Sequence, residues 1–229
     1  MEKNSDNSTK WTVAAFLLLL VETCFSVLVF LSVFFLIVFA LKHVFVTYHG
    51  FDTETFLFLK QHINKRNTSI MLFFSVIGNF QFLLVANCVL IVYYLFYKKH
   101  KWYAVKVPAI ALSSVSLMFL LKHLFERERP QFPLLSPALG LSFPSGHAMS
   151  SVTFYGLLIY LVVQSSVNTY IKATFILLLI FIILFIGISR IYLRVHYPTD
   201  ILGGYLAGFM WLFFSIQILG RVEAFAKKE

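Results

Sequence analysis

Cysteine is scarce in this chain: only Cys24 and Cys88, each inside an apolar run. Two such thiols form no disulfide framework and no zinc-binding spacing, so both are read as small buried side chains. Charge is scarce as well. Asp, Glu, Lys and Arg make up 13% of the 229 residues, about half the ~25% usual in soluble proteins. No His-Glu-x-x-His pattern is present. Internal repeats and low-complexity stretches are also missing, which leaves no solenoid or linker and predicts a single domain over 1–229, with polar tails at 1–10 and 220–229. The formal net charge is +9, yet there is no basic helix or aromatic-basic platform. Nucleic acid is therefore excluded as a partner, and the anionic head groups of membrane lipids are expected instead.

What the chain does have is apolar surface. Hydrophobic residues make up 59% and aromatic ones 18%, and the mean hydropathy is +0.83. Crossing a bilayer as a helix takes about 20 apolar residues. Six runs qualify, at about 15–41, 69–97, 104–122, 147–164, 171–189 and 200–219. The fold class predicted is all-α, an integral membrane bundle of six transmembrane helices. The first run exceeds a signal-peptide core of roughly 7–15 residues, so it is expected to stay as an anchor. Pro108 falls near the start of the third run, where a missing N–H costs little.

With six crossings both termini share a side. Lys and Arg number ten on that side against nine on the other, and setting aside Lys122, Arg129 and Arg190 for chemistry leaves ten against six. The positive-inside rule then places both termini in the cytoplasm. In the first outer loop Phe51, Thr55, Phe58, Leu59 and Ile63 recur at helical spacing opposite Asp52, Lys60 and Asn64. That pattern predicts an amphipathic helix, lying in the outer interface or packing on the bundle.

Ionisable residues at the ends of membrane helices are expensive and mark function by default. Three clusters occur: "LKHLFERERPQF" at 121–132, "FPSGHAMS" at 143–150 and "GISRIYLRVHYPTDILGG" at 187–204. They fall at the exit of span three, the entry of span four, the exit of span five and the entry of span six. Counting crossings puts all of these on one face of the membrane.

Each cluster suits an oxyanion. Lys122 and Arg129 lie seven residues apart, so a continuing helix would put them on one face, although Pro130 biases Arg129 away from helix. Ser145, Gly146 and His147 open a helix whose unpaired N–H groups attract phosphate. Arg190 adds a planar fork for oxygen. His196 precedes Pro198 and Asp200; the carboxylate, four residues on, can fix the imidazole tautomer and leave the other nitrogen free to attack phosphorus. His147 is placed to protonate a leaving oxygen. Three cations around two histidines and one aspartate would repel a divalent ion, so no metal and no cofactor is expected.

The pattern resembles the type 2 phosphatidic acid phosphatase family, whose superfamily also contains the vanadium haloperoxidases. Its three motifs stand here as "KHLFERERP" (122–130), "PSGH" (144–147) and "SRIYLRVHYPTD" (189–200), and the similarity covers about 50–210. The resemblance implies that His196 is a nucleophile forming a phosphohistidine, that Asp200 orients it, and that His147 is general acid and then base. It implies that Lys122, Arg129, Ser145, Gly146 and Arg190 bind the phosphoryl oxygens without a metal. Ser189 belongs to the third motif without a clear part in the chemistry. Glu126, Arg127, Glu128, Arg194 and His123 match no motif position and are read as a solvated rim. Glu22 is read as marking the start of the first span, and Gly203, Gly204 and Gly208 as sites of close packing within the bundle.

The resulting expectation is a metal-independent lipid phosphatase of the plasma membrane, with its site on the extracytoplasmic face. Its substrates would be lipid monoesters or pyrophosphates such as phosphatidic acid, phosphatidylglycerol phosphate or a polyprenyl pyrophosphate. A lipid phosphotransferase using the same intermediate and a non-catalytic lipid-binding or transport protein are the alternatives. Oligomeric state is left open.

Overall fold

The computed structural model describes residues 2–47, 49–135 and 139–227. The described residues are helical with no strand, and six of the helices are long and apolar enough to cross a membrane. The chain divides into two compact units, Met1–Lys42 and His43–Glu229. The first unit is built from α1 (Glu2–Thr47), whose apolar span is Leu20–Ala40; the helix thus extends through the segment read as a polar tail. Glu22 is exposed near the start of that span.

The second unit contains α2 (His49–Lys60), α3 (Lys65–Ile77), α4 (Phe80–Val92), α5 (Lys101–Phe125), α6 (Gly146–Gln164), α7 (Thr169–Tyr192) and α8 (Pro198–Ala226). A π-helical turn, Tyr93–Tyr97, continues α4. The span predicted as one helix over 69–97 is in fact two. Gly78 closes α3, its N–H bonding to Phe74 O at 3.2 Å, and Asn79 starts α4 by accepting from Phe82 N at 2.7 Å. Hydropathy is apolar on both sides of that break and does not register it; the asparagine cap produces it. Pro108 also differs from expectation, because α5 starts at Lys101 and the proline lies inside it.

Helix α6 is central and packs on α5, α7 and α8. Its contact with α8 is close because glycine removes the side chains between them. A Cβ on Gly204 would come 2.8 Å from Ser145 O, and one on Gly208 would come 2.7 Å from Met149 O. These glycines serve packing within the bundle, as expected. The two cysteines do not: Cys24 and Cys88 are exposed on helix surfaces, because in a lipid environment the outer surface of a helix is itself apolar.

Helix α2 is the amphipathic helix predicted for the outer loop, with Asp52 alone of its polar face turned inward. Phe51 and Phe58 are 44% and 62% exposed, whereas Asp52 is 5% exposed. The aspartate is directed inward because Arg127 and Thr199 wait for it there. Phe56 meets the Tyr197 ring at 5.8 Å, and Leu59 packs on Tyr192, Leu193 and Val195.

Candidate active site

Helix α5 does not carry Arg129. It ends at Phe125, with Glu126 in the left-handed region at φ 44°, so the shared helical face predicted for Lys122 and Arg129 is not formed. The chain instead leaves as a loop and brings Arg129 back from the side. Its Nε donates to Gly140 O at 2.9 Å and its Nη1 to Val195 O at 2.8 Å. Lys122 reaches the same loop, Nζ donating to Leu141 O at 2.5 Å.

The end of this loop begins α6. Ser145 caps the helix, its Oγ accepting from Ala148 N at 3.4 Å, while its own N–H donates to Asp200 O at 3.0 Å. Gly146 is the first helical residue and His147 the second. Arg190, 7% exposed near the end of α7, donates from Nη1 to Ser75 Oγ at 2.5 Å. Its Nε is buried with no protein partner among the described residues, so a donor at the centre of the rim is left unused.

The turn between α7 and α8 carries the third cluster. Pro198 stands in the first turn of α8, where its fixed φ suits a helix start. His196 is 2% exposed and Asp200 fully buried. His196 Nδ1 lies 3.4 Å from Asp200 Oδ2. That is longer than a strong hydrogen bond, yet close enough for the carboxylate to favour the proton on Nδ1. Nε2 then holds a lone pair, and Arg129 Nη1 lies 3.3 Å from it. Burial pulls the His196 imidazole down from its ordinary 6.5 to about 4; Asp200 opposes this, and Arg129 and Lys122 add to it. The ring is neutral at pH 7. Burial also lowers the Arg129 guanidinium from its usual value, with Asp200 acting in the other direction.

All eight residues singled out from sequence thus meet at one rim. Lys122 interacts electrostatically with Arg129 and Asp200, and His147 with Arg190, His196 and Arg129. Ser189 is different: it is fully buried, and its Oγ donates to Ile186 O at 2.6 Å within its own helix.

Sequence reasoning missed several members of the site. Arg127 is no solvated rim residue; it is half-buried and forms ion pairs with Asp200 at 2.7 Å and Asp52 at 2.8 Å. Ser142, fully buried, donates to Asp200 Oδ2. Tyr197 N–H donates to the same oxygen at 2.8 Å. Ser75 supports Arg190, and Asp52 and Thr199 support Arg127. Arg127 lies within the first cluster and Tyr197 and Thr199 within the third; Ser142 stands one residue before the second, and Asp52 and Ser75 lie in none of the three. Glu126, Glu128 and His123 are exposed as expected, and the Arg194 guanidinium lies 5.9 Å from the centre of the Phe56 ring. Among the described residues no three His, Cys, Asp or Glu side chains gather as metal ligands.

An apolar cavity of about 220 Å³ opens between α4, α5 and α6, with Leu83, Ile110, Ser114, Ser150 and Phe154 in its lining. Of its lining residues, Ser150 stands three residues after His147 on α6.

The PAP2 superfamily model matches residues 102–223, more than half of the chain. Phosphatidylglycerophosphatase B of Bacillus subtilis (strain 168) is 30% identical over 136 residues, which span 58% of this chain and 66% of that protein. The crystal structure of the first transmembrane PAP2 type phosphatidylglycerolphosphate phosphatase from Bacillus subtilis aligns with a TM-score of 0.73 at 28% identity. That alignment covers 85% of this chain and 94% of the other. Aquifex aeolicus LpxE aligns with a TM-score of 0.55 at 24% identity over 72% of this chain and 94% of its own, a likeness of fold alone.

Proposed function

The chain belongs to the PAP2 superfamily, and from that premise we propose that it is a membrane lipid phosphatase working through a phosphohistidine. It is a phosphoric-ester hydrolase acting on lipid phosphates: monoesters such as phosphatidic acid and phosphatidylglycerol phosphate, or polyprenyl pyrophosphates. One observation carries the chemistry. His196 sets Nδ1 3.4 Å from Asp200 and Nε2 3.3 Å from Arg129, and its burial favours the neutral ring.

In the first step Nε2 attacks phosphorus; the P–N bond forms as the P–O bond to the lipid breaks, and His147 gives its proton to the departing oxygen. In the second, His147 takes a proton from water, the hydroxide oxygen bonds to phosphorus, and the P–N bond breaks to restore His196. Negative charge on the phosphoryl oxygens is met by Lys122, Arg129 and Arg190, whose unused Nε suits one more oxygen, and by the N-terminus of α6 at Ser145 and Gly146. Such cations are worth more where water is partly excluded. The apolar cavity, lined on α6 by Ser150, three residues after His147, supports a lipid as the substrate, since it offers hydrocarbon a place within the bundle.

The protein is a multi-pass membrane protein. In a plasma-membrane placement, charge balance supports both termini cytoplasmic and the site outside; an impermeant maleimide should therefore label a cysteine introduced at His62 in intact cells, and labelling only after lysis would reverse the orientation. Phosphate release from each lipid class in detergent tests the chemistry. Wild type should turn over at least one class, and His196→Ala should lose about 10³-fold or more. Equal rates in both would remove His196 as nucleophile.

A further inference from the structure

Arg127 matches no fixed position of the three motifs, yet its guanidinium joins two buried carboxylates. Nη1 donates to Asp200 Oδ1 at 2.7 Å and to Thr199 Oγ1 at 2.6 Å; Nη2 donates to Asp52 Oδ2 at 2.8 Å. The Tyr197 ring lies 4.1 Å from the guanidinium. Asp52 is also held by Thr199, whose N–H and Oγ1 both donate to it, at 3.1 Å and 2.9 Å. A helix of the outer loop is thereby connected, through one side chain, to the residue that orients His196.

The two oxygens of Asp200 have separate partners. Oδ1 takes Arg127; Oδ2 takes Ser142, the Tyr197 N–H and the His196 ring. The single Nη1 bond to Oδ1, from a guanidinium whose plane is held by Asp52 on Nη2, restrains the rotation of the carboxylate, and with it the direction in which Oδ2 faces the imidazole. A buried carboxylate also needs a nearby cation to offset its charge. We propose that Arg127, anchored by Asp52, is a positioning residue that fixes the Asp200 carboxylate and thereby sets the orientation and basicity of His196. This rests on the reading of His196 as nucleophile.

The charges make a signed expectation. His196 is faced by Asp200 from α8, Arg129 from the loop, Lys122 from α5 and His147 from α6, and Arg127 acts on it through Asp200. Without the Arg127 charge, Asp200 is less offset and the imidazolium is favoured. Without the Asp52 charge, Arg127 offsets Asp200 more fully and the imidazolium is disfavoured. A role confined to packing would not yield shifts of opposite sign.

The test uses the full-length protein in detergent micelles with Arg127→Gln, Arg127→Lys and Asp52→Asn. The His196 titration midpoint is followed by NMR of labelled histidine rings, assigned by difference against His196→Ala, and kcat and KM are measured across pH on a lipid phosphate. Arg127→Gln should lower kcat by about 10- to 100-fold with little change in KM, and should raise the midpoint by about one pH unit. Asp52→Asn should lower the midpoint, and Arg127→Lys should restore most of it with part of kcat. Midpoints that stay at the wild-type value, or that move in the same direction in Arg127→Gln and Asp52→Asn, overturn the proposal. Should Arg127→Gln not fold, Asp52→Asn and Arg127→Lys decide alone: the proposal stands if Asp52→Asn lowers the midpoint, and falls if it does not. A wild type that hydrolyses no lipid phosphate would instead remove the phosphatase reading, while the NMR midpoints would still decide the link between Arg127 and His196.

Discussion

Substituting Gly204 by alanine adds one methyl group to the contact between α6 and α8. That methyl would stand 2.8 Å from Ser145 O, 2.9 Å from Ala148 Cβ and 3.3 Å from Met149 N. Two of these atoms are backbone and cannot rotate away. Ordinary contact begins near 3.4 Å, so the helices must part by about 0.6 Å at this level. Overpacking of this kind costs about 2 kcal/mol, which for a chain of this size lowers Tm by about 5 °C. The displacement falls on Ser145, whose N–H is bonded to Asp200 O, and so separates the helix start bearing His147 from the turn bearing His196. Misplacement of about half an ångström should reduce kcat about tenfold. Gly220→Ala is the control, because its Cβ would meet nothing within 4 Å; it should be neutral or gain up to about 1 kcal/mol in helix propensity. Thermal unfolding in detergent and initial rates on a lipid phosphate give both readouts. A Gly204→Ala protein that unfolds and turns over like Gly220→Ala would refute the reasoning.

Asp200→Asn keeps the shape of the side chain but removes the charge that holds the proton on His196 Nδ1; kcat should fall by about 10³-fold or more, and a smaller loss than that of Arg127→Gln would contradict the assigned order of roles. For pH, His196 is held at about 4 in the fold against an ordinary 6.5. Between these values the unfolded chain binds a proton that the folded one excludes, so this group's contribution to stability is complete above 6.5 and is lost as pH falls toward 4. Urea unfolding across that range should show the decline, and the acid limb of kcat/KM should lie near 4; a limb at 6.5 would contradict a buried neutral ring.

Much of the site could be read from sequence, because the crossing count alone brings Lys122, His147, Arg190 and His196 to one face. The spans from α5 onward could be read for the same kind of reason: long apolar runs leave a helix little choice in lipid. The break at Gly78 and Asn79 could not, since it is made by one side-chain cap inside a run apolar on both sides. Arg127 and Asp52 were assigned to the solvated rim and the polar face of a loop helix because single-residue reasoning treats each charge alone. They are 75 residues apart, and only the folded chain shows that each is the other's partner. The same pairing explains why Asp52, unlike Lys60 and Asn64, is turned inward from the polar face of α2.

The inward turn of Asp52 has a mechanical outcome. With Asp52 drawn inward, α2 presents Phe51, Leu57 and Phe58 to the outside. Lifting them from hydrocarbon into water would cost about 2 kcal/mol apiece. An apolar outer face of this kind would hold α2, and through Asp52 the Arg127 side chain, at the depth of a hydrocarbon boundary, as a float holds a line.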